Sequence, residues 1–165
     1  MADPALVALA ERLQGLCIGR GLTVATAESC TGGLVAESIT SVPGSSGYFV
    51  GALVTYADEA KTALLGVPPE MLAAHGAVSA QVALSMATGA RARLGASMAV
   101  SVTGVAGPDG GSEAKPVGLT YVGLATGEDV DVRKLQLGTD REGNRTAAAG
   151  AALEWLIEHA AGSPA

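Results

Sequence analysis

The sequence predicts an α/β fold, a three-layer α/β/α sandwich built on a mixed, mostly parallel sheet. In the first part of the chain, helical patterns alternate with short apolar segments, which is typical of parallel strands joined by helical crossovers. Two later apolar segments are separated by a short turn, and this favours an antiparallel hairpin. A sheet that combines both kinds of pairing is expected to carry helices on both faces.

Three elements are predicted before residue 40. Leucines recur at spacings of three and four from Leu6 to Leu16, which predicts a helix over residues 4–19. The apolar segment 22–27 predicts a short buried strand, and a helix over residues 34–39 follows it. These segments form a strand, a turn and a helix in immediate succession.

The middle of the chain predicts one strand followed by two short helices. Residues 48–56 form an apolar segment typical of a second strand. Asp58 is expected to cap a short helix that carries Lys61. Another short helix is predicted from Pro68 to about His75, since proline is favoured at the start of a helix.

Apolar periodicity and turn residues predict two helices, three strands and one long loop in the rest of the chain. In order these are a helix over 80–94 capped by Ser79, a strand over 97–103, a loop over 104–116, strands over 117–125 and 130–137, and a helix from its cap Asp140 to about His159.

Length and composition limit the class of protein. The chain has 165 residues, and we expect one domain with a core over about residues 5–158 and a frayed tail over 161–165. Hydrophobic residues make up 48% and charged residues 16%, which excludes a disordered chain. The net charge of −6 argues against a nucleic-acid partner, because such binding needs a basic face. No apolar run reaches the roughly 20 residues of a membrane span, so no membrane partner is expected.

The termini and cysteines indicate a cytoplasmic location. The N-terminal residues lack the basic end and apolar stretch of a signal peptide. Cys17 and Cys30 are too few for a disulfide framework or a four-cysteine zinc site, and two histidines add little metal-binding capacity. A reducing, cytoplasmic environment is therefore expected.

A serine lies where the first strand gives way to a helix, in the segment Glu28-Ser29-Cys30-Thr31-Gly32-Gly33. The first N–H groups of a helix lack partners, and the helix dipole adds positive potential there. This arrangement suits acyl transfer, in which Ser29 attacks and N–H groups hold the oxyanion. It equally suits a phosphate site, and Ser29 or Thr31 could also be an ordinary helix cap.

A serine nucleophile needs a base, and Lys61 is a candidate. If the first two strands share a direction, Ser29 and Lys61 emerge at the same sheet edge, where ligands bind in open α/β sheets. Lys61 must be neutral to accept a proton, so its pKa has to fall from about 10.4 toward ~7–8. The competing interpretation is an exposed helix lysine. His75 and His159 are poorer candidates, since His75 follows an ordinary short helix and His159 lies on a helix near the C-terminus.

A second serine–lysine pair, Ser112 and Lys115, matches the Ser-x-x-Lys of penicillin-recognising enzymes. That motif needs a helix, whereas two glycines precede this segment and Pro116 follows it. We therefore expect no dyad there, although Lys115 is able to meet an anionic ligand from the loop. The loop from Gly104 to Pro116 is neither a Walker loop nor a dinucleotide fingerprint, and we interpret it as a substrate-lining loop or a long connection.

Six motifs in order resemble the CinA C-terminal family, whose members include nicotinamide-nucleotide amidases. They are Thr26-Ala27-Glu28-Ser29-Cys30-Thr31-Gly32-Gly33, Val42-Pro43-Gly44-Ser45-Ser46, Tyr56-Ala57-Asp58-Glu59-Ala60-Lys61, Gly76-Ala77-Val78-Ser79, Thr103-Gly104-Val105-Ala106-Gly107-Pro108-Asp109-Gly110-Gly111 and Lys115-Pro116-Val117-Gly118. The resemblance covers about residues 5–158 and implies a stand-alone, single-domain member. The further N-terminal domain of some family proteins, which resembles molybdopterin-binding proteins, is expected to be absent.

The resemblance implies hydrolysis of nicotinamide mononucleotide to nicotinate mononucleotide and ammonia, in pyridine nucleotide salvage. The family's serine falls on Ser29 and its lysine on Lys61, with a tyrosine at Tyr56 that orients Lys61 or contacts substrate. Neither a metal nor a cofactor is implied. The residues expected to hold the oxyanion or the substrate are Cys30, Thr31, Gly32, Gly33, Thr103, Gly104, Ala106, Gly107, Lys115 and Arg141.

Several alternatives stay open. The chain could be a non-catalytic nucleotide-binding or regulatory module, or an amidase for another small amide. An anionic substrate needs local positive charge, for which Lys115, Arg141 and Arg145 are candidates. Gly143 and Asn144 are weak helix formers, so the start of the last helix and any role of Arg145 are undecided. The resemblance and the small surface residues favour a homo-oligomer, with a dimer expected.

Overall fold

The computed structural model describes residues 2–162, which form one sheet with helices on both of its faces. The helices are α1 (Pro4–Arg20), α2 (Leu34–Thr40), α3 (Asp58–Leu65), α4 (Pro69–His75), α5 (Ala80–Leu94) and α6 (Arg141–Gly162). The strands are β1 (Val24–Glu28), β2 (Phe49–Val54), β3 (Met98–Gly104), β4 (Leu119–Ala125) and β5 (Val130–Gln136). A short 3-10 turn, Ser45–Gly47, precedes β2.

The five strands lie in the order β2-β1-β3-β4-β5. β1 pairs in parallel with β2 and β3, whereas β4 pairs antiparallel with β3 and β5. The mixed sheet and its C-terminal hairpin are therefore confirmed. Parallel pairing accounts for two of the four strand pairs, although four of the five strands run in one direction. The carboxyl ends of β1, β2 and β3 meet at one edge, the position where open α/β sheets bind ligands.

Two apolar cores cover the two faces of the sheet. Because successive strand side chains point to opposite faces, Val100 packs with α1, α2 and α6, whereas Ala99 packs with α3 and α5. Leu13 and Leu153 are fully buried in the first core, and Met86 is fully buried in the second. The three-layer arrangement follows from this alternation.

The helix caps agree with the sequence at two positions and differ at a third. Ser79 accepts an N–H bond in the first turn of α5, and Asp140 accepts one 2.8 Å long in the first turn of α6. Asp58 is not the cap of α3, because Ala57 holds that position and Asp58 is the first helical residue. Its carboxylate still lies at the positive end of the helix dipole.

The start of α6 is supported by the two residues that made it uncertain. A Cβ at Gly143 would lie 2.3 Å from Thr139 Oγ1, so a glycine is needed there. Asn144 is 2% exposed; its Oδ1 accepts from the N–H and the hydroxyl of Thr139, and its Nδ2 donates to the Ala106 carbonyl. These bonds hold α6 against the loop that follows β3.

Element ends differ from the expected ones by a few residues. β1 begins at Val24 and β4 at Leu119, two residues later than expected in each case. α6 continues to Gly162, so residues 161–162 are helical and do not belong to a tail; residues 163–165 lie outside the described residues. Neither α6 nor any other helix within residues 2–162 has the length and apolarity that a membrane crossing requires.

Candidate active site

The turn between β1 and α2 carries Ser29 at the carboxyl end of its strand. Gly32 and Gly33 have φ values of +60° and +106°, which residues with a side chain rarely adopt. A Cβ at Gly32 would also lie 3.4 Å from the Arg145 guanidinium. The two glycines let the chain reverse sharply, and Ser29 is left 9% exposed at the edge of the sheet.

Glu28, the last residue of β1, ties this turn to α2. Its side chain is fully buried, and its carboxylate accepts N–H bonds of 2.9–3.2 Å from Gly33, Val35 and Ala36. The Thr26 hydroxyl also donates to it. Charged acceptors at a helix start satisfy orphan N–H groups and complement the dipole. The donors at the start of α2 are therefore used inside the protein.

Lys61 lies on α3, which follows β2, and β2 is the strand beside the β1 strand that leads to Ser29. Its side chain is 1% exposed, so the interpretation of an exposed helix lysine is excluded. Its Nζ lies 3.0 Å from Ser29 Oγ, 2.8 Å from the Thr55 carbonyl oxygen and 3.1 Å from the Tyr56 carbonyl oxygen. The serine and the lysine, 32 residues apart in the chain, are direct hydrogen-bond partners.

Burial lowers the pKa of Lys61, because the surroundings disfavour the ammonium form, while Asp58 and Cys30 act in the opposite direction. A neutral amine has two protons and one lone pair. In that form the two N–H groups donate hydrogen bonds to the carbonyls of Thr55 and Tyr56, and the lone pair is then directed at the Ser29 hydroxyl. This arrangement allows Lys61 to remove the serine proton.

Only part of the turn offers N–H groups to a ligand. Six N–H groups have acceptors within the protein: those of Ser29, Gly32, Gly33, Leu34, Val35 and Ala36. Cys30 lines the cleft, and its N–H lies close to its own thiol, whereas Thr31 is fully buried and its N–H does not face the cleft. The expectation that Gly32 and Gly33 contribute oxyanion donors is corrected, since Glu28 and the Ser29 carbonyl take their N–H groups.

A cleft of about 290 Å³ opens over Ser29 and Lys61, between the carboxyl ends of the parallel strands and the start of α6. Nine of the expected site residues line it: Ser29, Cys30, Tyr56, Lys61, Thr103, Gly104, Ala106, Gly107 and Arg141. The tertiary structure thus brings together most of the expected site.

Four of the expected residues do not line this cleft. Thr31 is fully buried, and Gly32 and Gly33 shape the turn beside it. Lys115 points elsewhere, with its Nζ donating to the carbonyl of His75. Ser112 accepts a 3.0 Å bond from the Lys115 N–H in a tight turn, so this second serine–lysine pair has no helix to form a dyad.

Five lining residues were not singled out as site residues from the sequence: Ala77, Val78, Val105, Asp109 and Gly110. Their motifs are part of the family resemblance, which was the available signal. The Thr103 hydroxyl donates a 2.9 Å bond to the Ala77 carbonyl and so holds the segment before α5 against the end of β3. This long-range contact has no local sequence pattern.

The candidate cations take different places. Arg141 faces the cleft, where its Nη1 donates to the Gly107 carbonyl at 2.8 Å and its Nη2 to the Tyr56 hydroxyl at 3.1 Å. Arg145, one helical turn further on, does not line the cleft and contacts the carbonyls of Cys30 and Thr31. Positive charge is therefore available at the cleft from Arg141.

Sequence comparison places this arrangement among known proteins. The profile of the CinA C-terminal domain matches residues 6–160. The chain is 56% identical over 137 residues to a CinA-like protein of Geobacter sulfurreducens, covering 83% of this chain and 33% of that protein. It is 54% identical over 147 residues to a CinA-like protein of Desulfovibrio desulfuricans, covering 86% and 34%. The chain spans about a third of the length of these curated relatives.

Solved structures match over almost their whole length. The competence/damage inducible protein CihA from Agrobacterium tumefaciens is 43% identical, with a TM-score of 0.93 and coverage of 96% of this chain and 97% of that chain. A competence-damaged protein (CinA) superfamily protein from Escherichia coli is 31% identical, with a TM-score of 0.90 and coverage of 96% and 92%. With its fold, its motifs and residues 6–160 all matching, the chain belongs to the CinA C-terminal domain family.

Proposed function

We propose that this protein is an amidase that hydrolyses nicotinamide mononucleotide to nicotinate mononucleotide and ammonia. The observation that carries the proposal is the buried Lys61 Nζ, 3.0 Å from Ser29 Oγ beneath an open cleft. A serine becomes a nucleophile when a neutral base accepts its proton, and burial lowers the pKa of Lys61, which acts toward the neutral amine. The family includes amidases, which supports this substrate class.

The first half of the proposed reaction forms an acyl-enzyme. Ser29 Oγ bonds to the carboxamide carbon while its proton passes to Lys61 Nζ. The carbonyl electrons move to oxygen, and the N–H group of Cys30, which lines the cleft, stabilises that oxyanion. When the oxyanion collapses, the carbon–nitrogen bond breaks, and the Lys61 ammonium protonates the leaving nitrogen so that it departs as ammonia.

The second half releases the acid. A water molecule takes the place of ammonia and gives one proton to Lys61 as its oxygen bonds to the acyl carbon. The bond between that carbon and Ser29 Oγ then breaks, and Ser29 recovers a proton from Lys61. The product is a carboxylic acid that loses its remaining proton to solvent and leaves as a carboxylate, while Ser29 and Lys61 return to their starting states.

Arg141 supports a phosphorylated substrate. Its guanidinium faces the cleft and has two N–H donors engaged by Gly107 and Tyr56, which fix its plane. Arginine presents five donors, so others stay available for a phosphate. Asp109 also lines the cleft, so a bound phosphate would be repelled by its carboxylate. The cationic pyridinium ring of the substrate would offset this electrostatic repulsion.

Location and assembly complete the proposal. Cys17 and Cys30 are both buried free thiols, which supports a reducing, cytoplasmic site for nucleotide salvage. The expected homo-oligomer stays a prediction. Light scattering checks it, because a single chain has a mass of 16.2 kDa.

Ammonia release from nicotinamide mononucleotide tests the function. Ser29→Ala and Lys61→Ala remove the nucleophile and the base, and kcat should fall by a factor on the order of 10⁴ for Ser29→Ala and about 10²–10⁴ for Lys61→Ala. Ser112→Ala and Lys134→Ala are matched controls outside the cleft, and both should keep the wild-type rate.

The outcomes separate the candidate functions. Unchanged turnover in Ser29→Ala would sink the mechanism. Binding of the nucleotide by the folded wild type without ammonia release would favour a non-catalytic binding module. Release of ammonia only from unphosphorylated amides would replace the substrate and leave the Ser29–Lys61 chemistry in place.

A further inference from the structure

We propose that Asp109 is a specificity-determining residue that makes the cleft select a substrate whose aromatic ring carries a positive charge. The inference deepens the proposed function and rests on it for the identity of the nucleotide. It concerns a choice between two redox forms of that nucleotide. The oxidised form has a cationic pyridinium ring and the reduced form has a neutral dihydropyridine ring, and we expect Asp109 to favour the oxidised form.

The cleft holds two charges of opposite sign that the protein does not pair with each other. Lys61, Asp109 and Arg141 are the lining residues with charged groups. Lys61 is 1% exposed and acts as a neutral amine, so a ligand meets the charges of Asp109 and Arg141. Arg141 donates to the Gly107 carbonyl and the Tyr56 hydroxyl. The Asp109 carboxylate has no hydrogen-bond or ion-pair partner within residues 2–162, so it is available to a ligand.

The loop that carries Asp109 is held in place by the rest of the protein. Asn144, on α6, donates to the Ala106 carbonyl at 3.0 Å. The side chain of Val117 packs against Gly107 so closely that a Cβ on this glycine would lie 2.5 Å from Val117 Cγ1. A charge on a segment held in this way needs little reorganisation when a substrate binds.

The charge of Asp109 disfavours most substrates that this site could hydrolyse. A phosphate and the oxyanion of the reaction are both negative, and the Asp109 carboxylate repels each of them. A pyridinium ring that bears the carboxamide offsets this repulsion, because its cation attracts the carboxylate. A neutral ring leaves the repulsion uncompensated. The cleft therefore suits a zwitterion, with the ring cation bound by Asp109 and the phosphate bound by Arg141.

The preference for a cation depends on this one side chain. Among the described residues that line the cleft, Asp109 is the one with a carboxylate. The aliphatic lining residues Ala77, Val78 and Val105 are able to contact an aromatic ring in either redox state. Glu113 belongs to the same loop and does not line the cleft, so it provides a matched control.

Four ligands test the inference, because they vary the ring charge and the phosphate independently. They are nicotinamide mononucleotide, its reduced form, nicotinamide riboside and reduced nicotinamide riboside. Calorimetry with the Ser29→Ala variant measures their binding without turnover. The quantity of interest is the Kd of the reduced form divided by the Kd of the oxidised form, and for the mononucleotides it should be about tenfold or more.

A second substitution in the Ser29→Ala protein assigns this ratio to a residue. Asp109→Asn removes the charge and keeps the shape of the side chain, so the ratio should fall to within about threefold of one. Glu113→Gln should leave the ratio unchanged. Arg141→Ala should weaken the binding of both mononucleotides and remove most of their advantage over the ribosides, while the ratio between redox forms stays high.

A different role for Asp109 gives a different result. A carboxylate that binds the ribose hydroxyls would favour both redox forms, so Asp109→Asn would weaken them equally and leave the ratio unchanged. That outcome overturns the inference. Equal affinity of the Ser29→Ala protein for the two mononucleotides also overturns it, as does the absence of measurable binding of either one.

Turnover separates the inference from the proposed function. With Ser29 in place, Asp109→Asn should raise KM for nicotinamide mononucleotide about tenfold without lowering kcat, because the ring keeps its charge throughout the reaction. Binding selectivity that depends on Asp109, without ammonia release by the wild type, would support the inference and reject the proposed function. Ammonia release with a binding ratio that Asp109→Asn leaves unchanged would support the function and reject the inference.

Discussion

At the scale of single residues, the chemistry depends on keeping Lys61 neutral while it is hydrogen-bonded. Burial disfavours its ammonium form. The carbonyls of Thr55 and Tyr56 accept hydrogen bonds from Nζ, and such bonds stabilise the ammonium form as well as the neutral amine. The lowered pKa of Lys61 shows that burial outweighs the favourable effects of Asp58 and Cys30. Activity should therefore be set by the balance between burial and one nearby carboxylate.

Removing that carboxylate should shift the pH profile. The ammonium form of Lys61 cannot accept the Ser29 proton, so kcat/KM should fall as pH falls through the pKa of Lys61. Because Asp58 raises this pKa, Asp58→Asn should move the acid limb of the profile to lower pH. The measurement is kcat/KM against pH, with Glu59→Gln as the control. A shift of the limb to higher pH in Asp58→Asn would contradict this account of Lys61.

At the scale of secondary-structure elements, the site depends on how closely α3 and α5 approach. A Cβ at Gly89 of α5 would lie 2.0 Å from the carbonyl oxygen of Leu65, the last residue of α3. The backbones of the two helices therefore pack directly against each other, because Gly89 has no side chain to separate them. Lys61 lies one turn before Leu65, so we expect a displacement at this contact to move Lys61 relative to Ser29.

Gly89→Ala should displace the end of α3. We expect a loss of about 1–3 kcal/mol in the free energy of unfolding, because overpacking forces backbone to move, together with a fall in the rate of ammonia release. Gly15→Ala on α1 is the matched control. A Cβ at Gly15 meets nothing within 4 Å, so that variant should gain roughly 0.5–1 kcal/mol. Urea denaturation gives both values, and a stabilised, fully reactive Gly89→Ala would refute the role of this contact.

At the scale of the whole molecule, one sheet carries both cores and the site. The strand order places β1 between β2 and β3, so residues after all three strands converge on one cleft that α6 closes with Arg141. Leu13 and Met86 are fully buried on opposite faces of this sheet. Because both cores pack against the same sheet, the two cores should unfold together.

Leu13→Ala and Met86→Ala should each lower the free energy of unfolding by about 2–5 kcal/mol. Each variant should still show a single transition, because both cores share the same strands. Trp155 fluorescence reports the α6 face, and far-ultraviolet circular dichroism reports the whole chain. Two separated transitions in either variant would show that the faces fold independently.

Local patterns in the sequence were sufficient for the order of helices and strands and for the caps Ser79 and Asp140, and they made Ser29 and Lys61 candidates that the family resemblance then selected. Helical periodicity, strand alternation and turn residues reflect interactions within a few positions of the chain, so they can be read without coordinates. The family resemblance added Tyr56 and the loop after β3.

Only tertiary packing decided which of these groups are free to act. It buried Lys61, turned Lys115 toward His75, and set Arg145 against the turn that holds Ser29. Each of these outcomes depends on which groups compete for the same donor or the same space. That competition is between residues up to 115 positions apart, and no local periodicity records it.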